Sequence, residues 1–290
     1  HDITERQEAK QALQYRLEFE ELISRLSTEF INVPLDSIDR RIREALASVG
    51  QFVRADRAYV FQFNEQMTTM SNTHEWCAEG TSPQIDNLQD IPADTLPWWM
   101  ETLRDFEPIH LTTLEDLPPE AGTEREVLEG QDIQSLICVP MVYEKELVGF
   151  IGFDAVREQM GWSEDTISLL QTTGEILVSA LQRRRTELAL HSSEEKYRRM
   201  FELSPEAIVL IDSDGTVLDV NQRVNDWLDY RRDEVIGRRL LELPYLPPES
   251  KKVIGQKFAE RMQGKEASPY ELEFVSKGGE RVTGLVHATP

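Results

Sequence analysis

Few residues in this chain have the type and spacing to do chemistry. His74 and Cys77 stand as His-x2-Cys, a spacing found in metal-ligand pairs. A tetrahedral zinc site needs two further ligands, and Cys138 and His110 are the available ones. Trp76, Trp98 and Trp99 offer flat rings that suit the roof of a small-molecule pocket, and core packing accounts for each of them as well. Cys138 lies between Ile137 and Val139, where a thiol acts as a small hydrophobe with a raised pKa. His191 lacks the acidic and arginine context of a phosphoacceptor and reads as a solvated helix residue. No Gly-rich phosphate loop or ATP-binding motif occurs, so no catalytic site is expected in this segment.

Elements that would position these residues follow from periodicity. The chain opens with a helix over about 5–30, broken by Pro34. Ile38, Ile42, Leu46 and Val49 mark one face of a second helix. Tyr59, Phe61 and Phe63 alternate in a strand. Pro97 opens a short helix. Two apolar runs, 135–143 and 147–156, joined by Glu144, Lys145 and Glu146, predict a hairpin. A long polar helix then runs from Ser163, a good N-cap, to about Phe201. Leu170, Gly174, Leu177, Leu181 and Leu188 repeat on it at heptad spacing, as in a helix that packs on a partner helix. Tyr15, Phe19, Leu22 and Leu26 repeat that seam at the start of the chain. Arg183, Arg184 and Arg185 read as a solvated face paired with Glu175, Glu187 and Glu194. Beyond 201, hairpins are expected over 207–221 and 270–288, with helices between them. The class is therefore α+β: two domains, each an antiparallel sheet with flanking helices, joined by a coiled-coil-like helix.

The chain's 290 residues suit two domains. Its 53 acidic against 31 basic residues give a net charge of −22. That field repels phosphate, so neither nucleic acid nor anionic lipid is an expected partner. Two cysteines make no disulfide framework and fit a reducing cytoplasm. No apolar run approaches the roughly 20 residues that span a bilayer. The abrupt starts and stops at His1 and Pro290 read as cuts within a longer protein.

Several separated segments, in order, resemble a GAF domain over about 16–182. They are Asn72–Gly80, Leu88–Pro92, Trp98, Glu107–His110, Gln134–Pro140 and Val148–Asp154. Residues 194–290 resemble a PAS domain truncated at its C-terminus. That likeness rests on Tyr197–Glu202, Ser204–Ile208, Asp214-Gly215, Val220-Asn221, Leu228–Tyr230 and Asp233–Gly237. Asp229 stands where the PAS family usually has Gly. Residues 1–15 look like the tail of a preceding PAS domain and an entry helix, and 163–201 is the connecting signalling helix. The resemblance implies a sensory segment of a prokaryotic multi-sensor protein, most readily a histidine kinase. It would form a homodimer through its helices and pass a conformational change to neighbouring PAS and kinase domains. Phe61, Trp76, Cys77, Trp98, Trp99 and His110 are the implied GAF pocket residues, and Asn221 and Trp227 the PAS ones. The ligand stays unknown. One alternative is a haem-based redox or gas sensor using His74, Cys77 or His110, and another is a protein scaffold with no small ligand. The cyclic-nucleotide GAF signature, a bilin-type Cys-His and the PAS flavin motif are all missing.

Overall fold

The computed structural model describes residues 2–264 and 268–289, in two compact units, residues 1–187 and 188–290. His1 and Pro290, at the two ends read as cuts, lie outside the described residues. No described helix is long and apolar enough to cross a membrane.

In the first unit, α1 (Asp2–Ile31) ends before Pro34 and α2 (Ile38–Val53) follows. The face that α2 buries is the expected one, Ile38, Ile42, Leu46 and Val49. Next come β1 (Arg57–Phe63), β2 (Thr69–Cys77), β3 (Ile91–Pro92), α3 (Pro97–Arg104), β4 (Ile109–Leu111) and α4 (Gly122–Glu129). The hairpin of β5 (Ser135–Tyr143) and β6 (Glu146–Ala155) completes an antiparallel sheet of order β3-β2-β1-β6-β5-β4. Its turn is one residue tighter than the sequence implied. Tyr143 pairs with Glu146, leaving Glu144 and Lys145 at φ 49° and 68°. Two left-handed residues in succession match the twist of the flanking strands.

Alternation along the strands gives the sheet two different faces. Val60, Ile137, Val139, Met141, Ile151 and Phe153 pack with α1, α2 and α5 (Glu164–Glu202). Tyr59, Phe61, Leu136, Cys138 and Phe150 pack with α3, α4 and the loops.

The long helix starts as expected, with Ser163 Oγ accepting from the Thr166 amide at 3.2 Å. Its heptad residues, however, do not present a seam to another chain. Leu170, Gly174, Leu177 and Leu181 are buried on this chain's own sheet. A Cβ on Gly174 would lie 3.3 Å from Ile151 Cγ2 and 3.6 Å from Met141 Cγ. Over a run this short, a helix lying on a sheet and a coiled-coil strand carry the same pattern. Only Leu188, 55% exposed, remains open. The α1 seam is likewise internal: Leu22 and Leu26 are buried, Phe19 packs on the same cluster, and Tyr15 lies 5.0 Å from the Phe52 ring.

Nor do the three arginines pair along their own helix, although Arg185 is exposed. Arg183 donates to the Ile31 and Val33 carbonyls at 2.7 and 2.8 Å. Arg184 binds Asp39, and Arg185 lies 2.5 Å from Glu65. Together they tie α5 to the end of α1, the start of α2 and the β1–β2 turn.

The second unit contains β7 (Val209–Ile211), β8 (Val217–Val220), α6 (Gln222–Leu228), α7 (Arg232–Val235), α8 (Pro248–Met262), β9 (Tyr270–Val275) and β10 (Arg281–Val286). β7 pairs with β8, and β9 with β10, as two antiparallel hairpins. On α8, Ser250 and Ile254 are buried, whereas Val253 and Met262 are exposed. Asp229 ends α6 at φ 58°, the left-handed conformation that glycine adopts without strain.

Three stability outcomes follow. Leu177→Ala should lower the unfolding free energy of the first unit by about 2–5 kcal/mol, and Leu188→Ala should change it by less than about 0.5 kcal/mol. Asp229→Gly should stabilise the second unit by roughly 0.5–1 kcal/mol. Denaturant titration of the chain reads all three.

Candidate functional site

The face of the sheet toward α3 and α4 has a polar interior. Register places Cys77, Arg57, Asp154 and Leu136 in one row across β2, β1, β6 and β5. The next row is Glu75, Tyr59, Gly152 and Cys138. Arg57 and Asp154 are 2% and 1% exposed, with Arg57 Nε donating to Asp154 Oδ2 at 3.1 Å. Tyr59 donates to the other oxygen, Oδ1, at 2.9 Å. Gly152 makes this possible, since a Cβ there would lie 2.3 Å from the Tyr59 ring. Burial raises the Asp154 pKa to about 6, and Arg57 and Tyr59 oppose the rise. Tyr59 is itself pushed well above its ordinary range, first by burial and then by Asp154.

Glu75 pins the loop over this face. Its carboxylate accepts from Asn72 Nδ2 and from the amides of Gln84 and Ile85 at 3.1, 2.9 and 3.1 Å. Glu124, buried on α4, accepts from the Trp99 amide at 3.2 Å and so caps α3, whose Leu96 N-cap provides no side-chain bond. Four buried atoms on this face lack a hydrogen-bond partner: Arg57 Nη2, Asn72 Oδ1, Trp99 Nε1 and Glu124 Oε2.

The pocket residues expected from the sequence divide between two faces and the surface. Phe61 stacks on Phe150 with ring centroids 4.7 Å apart, Trp99 meets Phe150 edge-on at 6.0 Å, and Trp98 packs on the same cluster. Trp76 does not join them. It pairs with Ala58 and lies against α2, where a Cβ on Gly50 would come 2.5 Å from its ring. Cys77 shares the Arg57 row, but burial and Glu75 raise its thiol pKa to about 11, so it is not a reactive thiolate at neutral pH. Cys138 is fully buried, and burial first, then Asp154, push its thiol well above the ordinary cysteine value.

His74 pairs with Val60 and bonds Asp39 on the helical face, whereas Cys77 faces the other way and His110 is exposed. A strand turns residues three apart to opposite sides, so His-x2-Cys is no ligand pair here. Of the haem candidates, His74 has both ring nitrogens engaged by Asp39 and Thr73, and His110 is exposed. Among the described residues, no group of three His, Cys, Asp or Glu is placed to hold a metal ion.

In the second unit, Asn221 Nδ2 donates to the Phe201 and Glu206 carbonyls, and its Oδ1 accepts from the Ile208 amide, at 2.8–2.9 Å. That side chain is a structural clip, beside a surface cleft of about 220 Å³. Trp227 is 48% exposed and does not face the core.

Sequence reasoning missed Arg57, Tyr59, Asn72, Glu75, Glu124 and Asp154 as site residues. A usable signal existed: Arg57 has the parity of the inward-facing Tyr59 and Phe61.

The sheet flanked by helices on both faces agrees with the known proteins this chain matches. The GAF domain model matches residues 37–181, half of the chain. The chain belongs to the GAF domain family. A PAS domain model matches residues 205–290, so the GAF domain is followed by a PAS domain. The methanogenesis regulatory histidine kinase FilI of Methanothrix harundinacea (strain 6Ac) is 36% identical over 159 residues, 53% of this chain. The chain spans 17% of that relative's length. Among solved structures, the phycocyanobilin-bound and phycoerythrobilin-bound GAF domains from a cyanobacterial phytochrome are similar in fold. They are 20% and 18% identical, each with a TM-score of 0.50, covering 58% of this chain and 96% of the other.

Removing Asp154 leaves a buried guanidinium uncompensated, so Asp154→Ala should destabilise the GAF domain by about 3–5 kcal/mol. The raised pKa also fixes a pH dependence. The folded state holds this proton more tightly than the unfolded chain, so stability from this group is fully present below the ordinary aspartate value of 3.8 and is lost as pH rises through about 6. Wild type should therefore gain stability relative to Asp154→Asn on acidification across that window, as read by denaturant titrations at several pH values.

Proposed function

We propose that this segment is the sensory part of a cytoplasmic histidine kinase, relaying a change in its GAF domain along α5. The observation that carries the reading is α5 itself. Its first half belongs to the GAF core, and the same helix continues into the PAS unit. The likeness to a regulatory histidine kinase supports a kinase parent. The buried polar side chains Arg57, Asn72, Glu124 and Asp154 support the reading of a small polar ligand on the α3/α4 face. A ligand shifts the relay only by its differential affinity for two arrangements, and about 1–3 kcal/mol is enough.

A homodimer would form through the exposed part of α5. Leu188, Leu190, Tyr197 and Met200 are its open apolar side chains. Mass measurement across concentration should find a dimer that Leu188→Asp weakens without unfolding the GAF domain; a strictly monomeric chain at high concentration would contradict the dimer. For the relay, two residues inserted between Glu187 and Ser192 should uncouple autophosphorylation of the parent kinase from its signal while both units stay folded. Unchanged signalling would sink the relay.

A further inference from the structure

On the helical face of the GAF sheet, His74 is 3% exposed and bonded at both ring nitrogens. Its Nε2 lies 2.9 Å from Asp39 Oδ1, and its Nδ1 lies 2.9 Å from Thr73 Oγ1. Arg184 of α5 binds the same oxygen, Asp39 Oδ1. Histidine and arginine therefore share one acceptor atom, one from the sheet and one from the long helix.

The geometry accepts the imidazole in either charge state. An ionised carboxylate only accepts, so Nε2 must carry a hydrogen in both. The Thr73 hydroxyl lies 3.2 Å from the Val60 carbonyl as well as beside Nδ1. With neutral imidazole, the hydroxyl donates to Nδ1. With imidazolium, Nδ1–H donates to Thr73 Oγ1, and the hydroxyl hydrogen turns to Val60. Protonation thus costs the imidazole none of its own hydrogen bonds. The charged groups facing the ring are Asp39 and Arg43 on α2 and Arg184 on α5. Burial, then the two arginines, disfavour the imidazolium, and Asp39 favours it; His74 sits below the ordinary histidine value. Burial also opposes the Asp39 carboxylate, but its bonds from Arg184 and His74 outweigh this and hold it below its usual range.

We infer that His74 is a proton-responsive latch which sets, through Asp39, how firmly Arg184 holds α5 against the GAF domain. Neutral His74 leaves the charge of Asp39 to Arg184. The imidazolium competes for the same oxygen and repels the guanidinium, so acid loosens α5 at this point. The latch lies wholly within the first unit and stands whether or not the segment dimerises, binds a ligand or serves a kinase.

Titration of the ¹⁵N-histidine-labelled chain by NMR tests it, with His74→Gln assigning the signal. Neutral His74 should show the Nε2–H tautomer. Arg184→Gln, which removes the competing cation, should raise the His74 pKa by about half a unit or more. Asp39→Asn should lower it by a similar amount. In wild type, amide protection around Arg184 should fall as His74 protonates, and in His74→Gln that step should vanish. A Nδ1–H tautomer, a His74 pKa unmoved by Arg184→Gln, or the same protection step in His74→Gln would overturn the latch.

Discussion

The packing of the first five or so turns of α5 on the sheet is the contact on which the rest of the GAF domain depends. Leu169, Leu170, Leu177, Val178 and Leu181 cover the face formed by Val139, Met141, Ile151 and Phe153, and Gly174 brings the helix close. The same layer buries Leu22, Leu26 and Phe30 of α1 and the apolar face of α2. Apolar burial supplies the energy, and the arginines supply the position. Arg183 fixes α5 by bonds to two carbonyls, a geometry that two donors on a planar guanidinium meet well. Arg185 and Glu65 are exposed and contribute little. From 185 to 200 every residue is exposed, so α5 passes abruptly from core element to bare helix. A helix with no covered face gains little from its own surface, and this stretch still carries the exposed apolar side chains Leu188, Leu190, Tyr197 and Met200.

The opposite face of the sheet is organised differently. An apolar and aromatic floor of Phe61, Phe150 and Trp99 adjoins rows that carry Arg57, Asp154, Tyr59 and Glu75. A buried Arg–Asp pair adds little net stability and costs heavily when broken. Its position therefore matters more than its energy. On β2, which pairs with the strand of Arg57, Glu75 points to the loop side, while the adjacent His74 points to Asp39. Successive side chains of β2 thus touch both the loop over the polar interior and the tether of α5.

Much of the fold was legible in the sequence. The apolar spacing of α2, the proline opening α3, the Ser163 cap and the order of the hairpins each reflect local rules that tertiary context did not override. Relations between distant elements were not legible. Heptad spacing on α5 gave a correct apolar face and the wrong partner, because periodicity says that a face is covered and not by what. Arg183 to Arg185 looked solvated because their acceptors, Ile31, Val33, Asp39 and Glu65, are more than a hundred residues away. Among the site residues, Phe61, Trp98 and Trp99 do assemble on one face. Trp76, His74 and Cys77 were grouped by proximity along a strand, and strand parity separates them. Arg57 and Asp154 went unnoticed because charge is not expected in strands buried on both faces.

Amide hydrogen exchange along α5 tests the central claim most directly, that this helix is GAF core up to the arginine cluster and bare beyond it. In dilute solution, amides from about 168 to 181 should exchange only through unfolding of the domain, and those from about 187 to 198 roughly a hundredfold faster or more. Uniform protection along the whole helix at the lowest measurable concentration would contradict the account.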